Sequence, residues 1–376
     1  MPRREGCTRI RPRAWEGDLA ITKWLLAFVP LAIALEHFAP EQSLWIFFAA
    51  GLAIIPLAGL MGRATEDLAV HTGEGVGGLL SATFGNAAEL IIAIAALRAG
   101  LHEVVKASLA GSIIGNILLV LGAAMFAGGL RHRPEQSFNA AGARSQATMM
   151  TLATIALILP AAFQRVLGSG AAPLASLSIW ISAVLLAVYA ANLFFSLGTH
   201  RALFSGAHGA EEAEHAAPWS VGHALLALAG ATAAIAWISE ILVGAIEPVG
   251  QALGLTDAFI GVFVVAILGN AAENSTAIRA AFKNRMDLSL SIAIGASVQV
   301  ALFVAPFLVL LSYAIAPAPM DLAFSGGLVL TVLHSVLILG QVAGDGRSDW
   351  LKGVQLLAVY VILGLAFFFA PGTAAR

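Results

Sequence analysis

Residues 85–89 read GNAAE, and residues 269–273 repeat the same five letters. The copies are 184 residues apart, and Gly111 and Gly295 match further along at the same offset. Alanine matches carry little weight in so apolar a chain, but an Asn and a Glu in register in both copies do. We therefore predict an internal repeat, each copy of which carries one acidic residue.

Long apolar runs surround both copies. Of the 376 residues, 59% are hydrophobic and only 11% are charged, with a mean hydropathy of +0.88. Soluble domains carry about 25% charged residues, so this composition excludes a soluble or disordered chain. The single cysteine, Cys7, excludes a disulfide scaffold. The apolar runs are too long and continuous for a transmembrane β-barrel, and no basic patch indicates a nucleic-acid partner. An all-α polytopic membrane protein remains.

A membrane-spanning helix needs about 20 mostly apolar residues. Eleven segments qualify, at roughly 22–38, 43–62, 76–98, 104–129, 147–164, 175–197, 220–244, 257–280, 287–313, 321–340 and 350–370. The first follows a basic start, which is also typical of a signal peptide, but Glu36 and His37 make a poor cleavage site. We therefore expect an uncleaved helix.

The basic residues predict an orientation. With the N-terminus inside, the inner segments hold 16 of the 20 Lys and Arg residues, and the outer segments hold Arg98, Lys106, Arg165 and Arg376. Because cytoplasmic loops are enriched in Lys and Arg, we expect a cytoplasmic N-terminus and an external C-terminus. A wrong helix count would scramble this bias, so the bias also supports eleven spans. We expect an integral protein of the bacterial inner (plasma) membrane, in contact with lipid.

The repeat copies fall in the third and eighth predicted helices. These helices are five apart, an odd number, so the copies cross the bilayer in opposite directions. Inverted repeats in secondary transporters place the substrate site near the midplane, where the repeats meet. We predict four regions: a basic N-terminus and extra first helix at 1–42, a five-helix repeat at 43–197, an acidic cytoplasmic linker at 198–219, and a second five-helix repeat at 220–370.

Glu89 and Glu273 are the two acidic residues that fall deep inside predicted apolar helices. A charge at the bilayer centre costs at least about 2.5–3.5 kcal/mol, so two at equivalent positions indicate function. The alternative is a pair of protonated carboxyls that hold helices together by hydrogen bonds. Asn86 and Asn270 lie three residues earlier, on the same helix faces, although interhelical amide bonds are also common without function. The glycine that opens each copy allows close backbone approach or a local helix break.

The helices that follow each copy add oxygen donors. Ser112 and Asn116 are four residues apart on helix four. At the repeat offset the second half has Ala296 and Val300, but Ser297 and Gln299 lie one residue away. We expect these four side chains to complete the site, although ordinary interhelical hydrogen bonding would also explain them.

Two carboxylates with amide and hydroxyl oxygens form a hard, all-oxygen site. Such ligands suit Ca²⁺, which takes six to eight oxygens, whereas Zn²⁺ favours His or Cys. Two negative charges balance one divalent cation. Desolvated carboxylates also favour their protonated form, so Ca²⁺ and about two protons would compete for Glu89 and Glu273. The sequence thus predicts transported Ca²⁺ and H⁺, no cofactor and no enzyme activity.

A cluster of acidic residues lies between the halves, at Glu211, Glu212 and Glu214. It is either a solvated linker or a regulatory, cation-attracting segment at the cytoplasmic mouth.

At these residues the sequence resembles the calcium/proton antiporter (cation/proton exchanger) family of the calcium/cation antiporter superfamily. The two GNAAE motifs, residues 111–122 and residues 297–303 look like the family's two α-repeats. The resemblance runs over roughly residues 43–370 and implies an extra first helix plus two inverted sets of five. It also implies that Glu89 and Glu273 bind Ca²⁺ and carry the protons. A histidine often follows the second motif's glutamate in this family, and here that position is Asn274.

Three other functions fit less well. One alternative is a sodium/calcium exchanger or another cation/proton exchanger of the same superfamily; a sodium/calcium exchanger would show Thr or Ser and Pro around the glutamates in place of Asn-Ala-Ala. A cation channel would show a filter loop, and none is visible. An intramembrane enzyme would show a catalytic motif, and none is present.

Overall fold

The computed structural model describes residues 24–72, 74–167, 171–199 and 219–370. Helices dominate these residues, because long runs of Leu, Ile, Val and Ala must satisfy their backbone hydrogen bonds internally within lipid. The helices of the first half are α1 (Phe28–Phe38), α2 (Ser43–Thr72), α3 (Glu74–Phe84), α4 (Ala87–Arg98), α5 (His102–Ile114), α6 (Leu121–Arg131), α7 (Ala140–Leu167) and α8 (Ala171–Phe194). Those of the second half are α9 (Val221–Leu253), α10 (Asp257–Phe259), α11 (Ala266–Gly269), α12 (Ala271–Phe282), α13 (Met286–Gln299), α14 (Ala305–Ile315), α15 (Gly326–Val342) and α16 (Trp350–Phe368).

Wider π-helical turns link several of these helices into longer rods. They cover Phe195–Thr199, Gly115–Val120, Ile260–Val265 and Val300–Val304. The turns at Gly115–Val120 and Val300–Val304 correspond to each other at the repeat offset. Turns of this kind occur often at functional sites. The first contains the predicted oxygen donor Asn116, and the second begins directly after the predicted donor Gln299.

The prediction of an all-α membrane protein is confirmed. Within the described residues, seven helices are long and apolar enough to cross a membrane. Two further helical segments, Asp257–Gly269 and Ala271–Phe282, meet at a sharp bend and form an eighth span if they are counted together. Helices α1 and α15 are apolar but shorter. The exact count of eleven spans and the boundaries of the four regions stay predictions.

The two longest helices, α2 and α9, pack against each other. Both helices carry side chains with almost no exposed surface: Ala50 and Ile54 on α2, and Ile235, Ile238 and Leu242 on α9. Thr232 of α9 also lies 3.8 Å from the Met61 sulfur of α2. Extensive packing between these helices joins the two halves of the chain.

Helix α2 is longer than predicted. It was expected to end near residue 62 but runs to Thr72, and its last turns pack closely against Gly77 of α3. This extension places Asp67 inside a helix with only 3% of its surface exposed, beside Arg63 at 3.8 Å. Asp67 is thus a further buried acidic residue, in the last two turns of α2. In sequence, charged residues near the end of a helix look like the start of a loop. Packing against a neighbouring helix can nevertheless bury them.

Both motif-bearing segments are broken helices. The chain leaves helical geometry at Asn86 (φ −97°, ψ 22°) and at Asn270 (φ −94°, ψ 2°). At Asn270 the helix axis bends by 65° between the segment that ends at Gly269 and the helix α12 that follows. These breaks confirm that the motifs interrupt the helices, and they place each glutamate in the first turn of a new helix.

A two-residue antiparallel ladder connects two distant loops. Strand β1 (Gln136–Ser137) pairs with β2 (Arg347–Ser348). The Gln136 side chain also donates a 2.9 Å hydrogen bond to the Ala281 carbonyl at the end of α12. The ladder thus anchors the far end of the helix that begins beside Glu273.

Candidate ion-binding site

The two glutamates occupy equivalent places at helix starts. Glu89 lies in the first turn of α4, and Glu273 lies in the first turn of α12. A helix N-terminus carries a partial positive charge from its unpaired N–H groups, which stabilises a nearby carboxylate. The break at each asparagine therefore creates a favourable position for one acidic side chain inside an apolar protein.

Each glutamate lies against the glycine of the other motif. A β carbon built on Gly269 would be 3.0 Å from Cγ of Glu89. A β carbon built on Gly85 would be 3.5 Å from Oε1 of Glu273. A methyl group on Gly269 would have to displace the Glu89 side chain by a few tenths of an ångström, whereas one on Gly85 would make an ordinary van der Waals contact with Glu273. The two motif copies, distant in sequence, are thus in direct and reciprocal contact.

Hydrogen bonds join the asparagines to the helices that follow the motifs. Asn270 Nδ2 donates to the Ser112 hydroxyl at 3.0 Å, and that hydroxyl lies 3.5 Å from Glu89 Oε1. On the other side, Asn86 Nδ2 donates to Gln299 Oε1 at 2.5 Å. Each motif asparagine therefore binds a side chain from the opposite half of the chain.

The amide oxygens of both motif asparagines remain available. Oδ1 of Asn86 and Oδ1 of Asn270 are buried and accept no hydrogen bond from the described residues. A buried acceptor without a partner costs about 1–3 kcal/mol, so its persistence at two equivalent positions points to a ligand. These oxygens suit a cation, which needs acceptors only.

The remaining predicted donors divide into two groups. Asn116 lines a small cavity of about 10 Å³ beside Ser112 and Asn270, close to the motifs. Ser297 is fully buried, and its hydroxyl donates to Ala293 O of its own helix at 2.9 Å. Glu211, Glu212 and Glu214 lie outside the described residues.

The chemical character of the site is limited to oxygen. No group of three or more His, Cys, Asp or Glu side chains comes together among residues 24–72, 74–167, 171–199 and 219–370. The place where the motif copies meet offers the carboxyl groups of Glu89 and Glu273 together with neutral amide and hydroxyl groups. Such a donor set suits a hard cation held loosely enough to be released.

Two features of the structure were not predicted from the sequence. Asn274 lines the small cavity together with Asn116 and Asn270, although the sequence identified it only as a departure from a family pattern. A second cavity, of about 690 Å³, lies between α4 and α9. It is bordered by an ion pair in which Arg98 Nη1 and Glu240 Oε1 are 3.0 Å apart. Neither feature has a signal in sequence, because both depend on how separate helices pack.

Comparison with known proteins identifies the family. Residues 42–198 and 223–369 match the sodium/calcium exchanger protein family. The chain is 46% identical over 365 residues to a Ca²⁺/H⁺ antiporter of Synechocystis, with 92% of this chain and 96% of that protein covered. It is 43% identical over 346 residues to the Ca²⁺/H⁺ antiporter ChaA of Bacillus subtilis, with 91% and 97% covered.

A solved structure shares the fold. The structure of native YfkE has 40% sequence identity to this chain and a TM-score of 0.79, with 93% of this chain and 99% of that chain covered. The chain belongs to the sodium/calcium exchanger family. It is therefore an integral membrane transporter and not an enzyme, as the sequence predicted.

Proposed function

We propose that this member of the family is a secondary active antiporter that exports Ca²⁺ in exchange for H⁺. The observation that carries the proposal is the reciprocal contact of Glu89 with Gly269 and of Glu273 with Gly85. It brings one carboxyl group from each repeat to the place where the two motif copies meet. The relatives named as Ca²⁺/H⁺ antiporters support the choice of ions.

Ca²⁺ fits the donor set by charge and by ligand type. Two carboxylates neutralise one divalent cation, and the Oδ1 atoms of Asn86 and Asn270 add neutral oxygens. Ca²⁺ takes six to eight oxygen ligands in flexible geometry and accepts water among them. A site of two carboxylates and two amides, completed by hydroxyl or water oxygens, meets this requirement.

Proton coupling follows from the cost of burying charge. An empty site would carry two carboxylates inside the membrane without compensation, which is unfavourable by several kcal/mol. Binding of Ca²⁺ removes this cost, and so does binding of about two protons. The transporter therefore switches between its inward-facing and outward-facing states more easily when it is loaded with Ca²⁺ or protons than when it is empty. This difference is the requirement for coupled exchange.

The broken helices provide a means of alternating access. In transporters with inverted repeats, one set of helices rocks against the other around a fixed central site. Here the glutamates stand on α4 and α12, each separated from the preceding helix by an asparagine with non-helical dihedral angles. These breaks allow the two parts of each span to tilt separately while the glutamates stay at the centre.

The proposal is tested by Ca²⁺ flux in proteoliposomes with the pH set independently on each side. In Na⁺-free buffer, acid on the side opposite to Ca²⁺ should speed uptake, and acid on the Ca²⁺ side should weaken apparent affinity. Mn²⁺, K⁺ and Na⁺ are tested separately in the same vesicles. Uptake that ignores the proton gradient but starts when Na⁺ is loaded inside would assign the chain to sodium-coupled exchange. Flux without counterflow would indicate a channel.

A further inference from the structure

The two halves of the ion site differ in the polarity of the residues beside the motif asparagine. Beside Asn270 lies a small cavity of about 10 Å³, whose polar walls include Ser112, Asn116 and Asn274. At the 184-residue offset, Asn116 corresponds to Val300 and Asn274 corresponds to Leu90. The polar wall of one half is therefore apolar in the other.

A glycine creates the space on the cavity side. A β carbon built on Gly115 would meet no atom within 4 Å. The equivalent position in the other half is Gln299, whose side chain extends to Asn86 and accepts its hydrogen bond. Gln299 thus supplies an oxygen where the Gly115 side leaves open space.

Two residues that line this space carry a buried polar atom without a hydrogen-bond partner among the described residues. Asn116 is 2% exposed and its Nδ2 makes no hydrogen bond to the described residues. Asn270 is 3% exposed and its Oδ1 accepts none. One is a donor and the other an acceptor, so neither a cation alone nor an anion alone would satisfy both. A water molecule can accept from the first and donate to the second.

The size of the cavity agrees with this ligand. A cavity volume of about 10–15 Å³ is enough to hold one water molecule, and a buried water needs two to four polar partners. Asn116, Asn270 and Asn274 provide that number. The space is too small for a hydrated ion.

We propose that this cavity is a water subsite of the ion site, held by Asn116 and Asn274, and that its water completes the Ca²⁺ ligands on the Glu89 side. The inference rests on the proposed Ca²⁺/H⁺ exchange. In the empty carrier the water bridges Asn116 Nδ2 and Asn270 Oδ1. In the loaded carrier it coordinates the ion beside Asn270, which is the role that the Gln299 oxygen can fill in the other half.

The test exchanges one wall residue for its counterpart in the other repeat. Asn274→Leu installs the side chain found at residue 90 and replaces a polar wall with an apolar one of similar length. We expect the KM for Ca²⁺ to rise about tenfold, as for loss of an outer partner of a metal site, with kcat nearly unchanged. Mn²⁺ is satisfied by six ligands whereas Ca²⁺ takes up to eight, so the preference for Ca²⁺ over Mn²⁺ should fall.

Two matched variants control for packing. Asn274→Ser keeps the wall polar and the space open, so its KM for Ca²⁺ should lie between those of the wild type and Asn274→Leu. Leu90→Met changes volume little at the equivalent position of the other half and should leave both KM values unchanged. An Asn274→Leu protein that folds with an unchanged Ca²⁺ KM and unchanged ion preference would overturn the proposal, as would a Ser variant that matches the Leu variant.

A structural measurement separates this inference from the proposed function and holds even if a variant fails to fold. In a crystal structure of the wild-type protein at about 2 Å or better, we expect solvent density 2.7–3.2 Å from Asn116 Nδ2. A wild-type cavity collapsed or filled by a protein side chain would refute the water subsite. A wild-type protein with no proton-driven Ca²⁺ uptake would instead refute the exchange reaction, while the density would still test the water.

Discussion

Cγ of Glu89 lies 3.0 Å from the position that a β carbon would take on Gly269, so a methyl group at residue 269 would have to displace the glutamate side chain by a few tenths of an ångström. The contact links the acidic residue of the first repeat to the opening glycine of the second. It makes the position of the carboxyl group depend on the backbone of the other half.

This contact predicts the effect of Gly269→Ala. The new methyl group would push the Glu89 side chain away, and we expect Ca²⁺ transport to fall about tenfold with little loss of stability. Gly59→Ala serves as the control, because a β carbon there meets nothing within 4 Å. Initial rates of Ca²⁺ uptake in proteoliposomes measure the difference. Equal rates for the two variants would show that the contact does not position the carboxyl group.

A buried lysine offers a prediction about stability. Lys106 Nζ lies 2.7 Å from Asp321 Oδ1 and 2.9 Å from the Ala323 carbonyl, and only 7% of the lysine side chain is exposed. Asp321→Ala would leave the ammonium group buried with reduced compensation. We expect the free energy of unfolding in detergent to fall by about 2 kcal/mol.

Glu103→Ala is the matched control for that lysine. Glu103 lies 3.7 Å from the same ammonium group, but 63% of its side chain is exposed. Exposed ion pairs contribute about 0–1 kcal/mol, so its loss should change little. The two variants losing equal stability would mean that burial of the lysine is unimportant.

The sequence was most informative where residues repeat. The GNAAE identity predicted that Glu89 and Glu273 are equivalent, and the structure brings both motif copies together. The slipped position of Gln299 also retained a polar role, because the side chain of Gln299 is long enough to reach Asn86. Periodicity and identity report such local features directly.

Features that depend on packing between helices could not be predicted. Asp67 is buried near the end of α2, and its burial depends on the packing of other helices, which no local pattern encodes. The two-residue strands at Gln136–Ser137 and Arg347–Ser348 are too short to show an alternation. The cavity beside Gly115 appears only when Asn116 and Asn274, from different spans, are placed side by side.

The orientation in the membrane is tested by single cysteines. The native Cys7 is first replaced by serine, which leaves a chain without cysteine. Glu135→Cys should then be labelled by an impermeant reagent only from the cytoplasmic side, and Ala318→Cys only from outside. The 16-to-4 distribution of basic residues is the reason. Labelling from the opposite sides would invert the predicted topology.

The acidic linker predicts a small effect. Replacing Glu211, Glu212 and Glu214 with glutamine should change apparent Ca²⁺ affinity or rate modestly and leave proton coupling intact. Exposed charges act through a field that salt screens within about 8 Å at physiological ionic strength. Flux measured at low and high salt should show the difference shrinking as salt rises. Complete loss of transport in a folded variant would place the linker in the central mechanism.

The central claim is that Ca²⁺ and protons bind the same two carboxyl groups, Glu89 and Glu273. The most direct measurement is calorimetry of Ca²⁺ binding to the purified protein in buffers of different protonation enthalpy, which counts protons released per ion bound. We predict release approaching about two protons at a pH where the empty site is protonated. Glu89→Gln and Glu273→Gln should each abolish binding while the protein stays folded. Ca²⁺ binding without proton release, or binding that survives in both variants, would contradict the account.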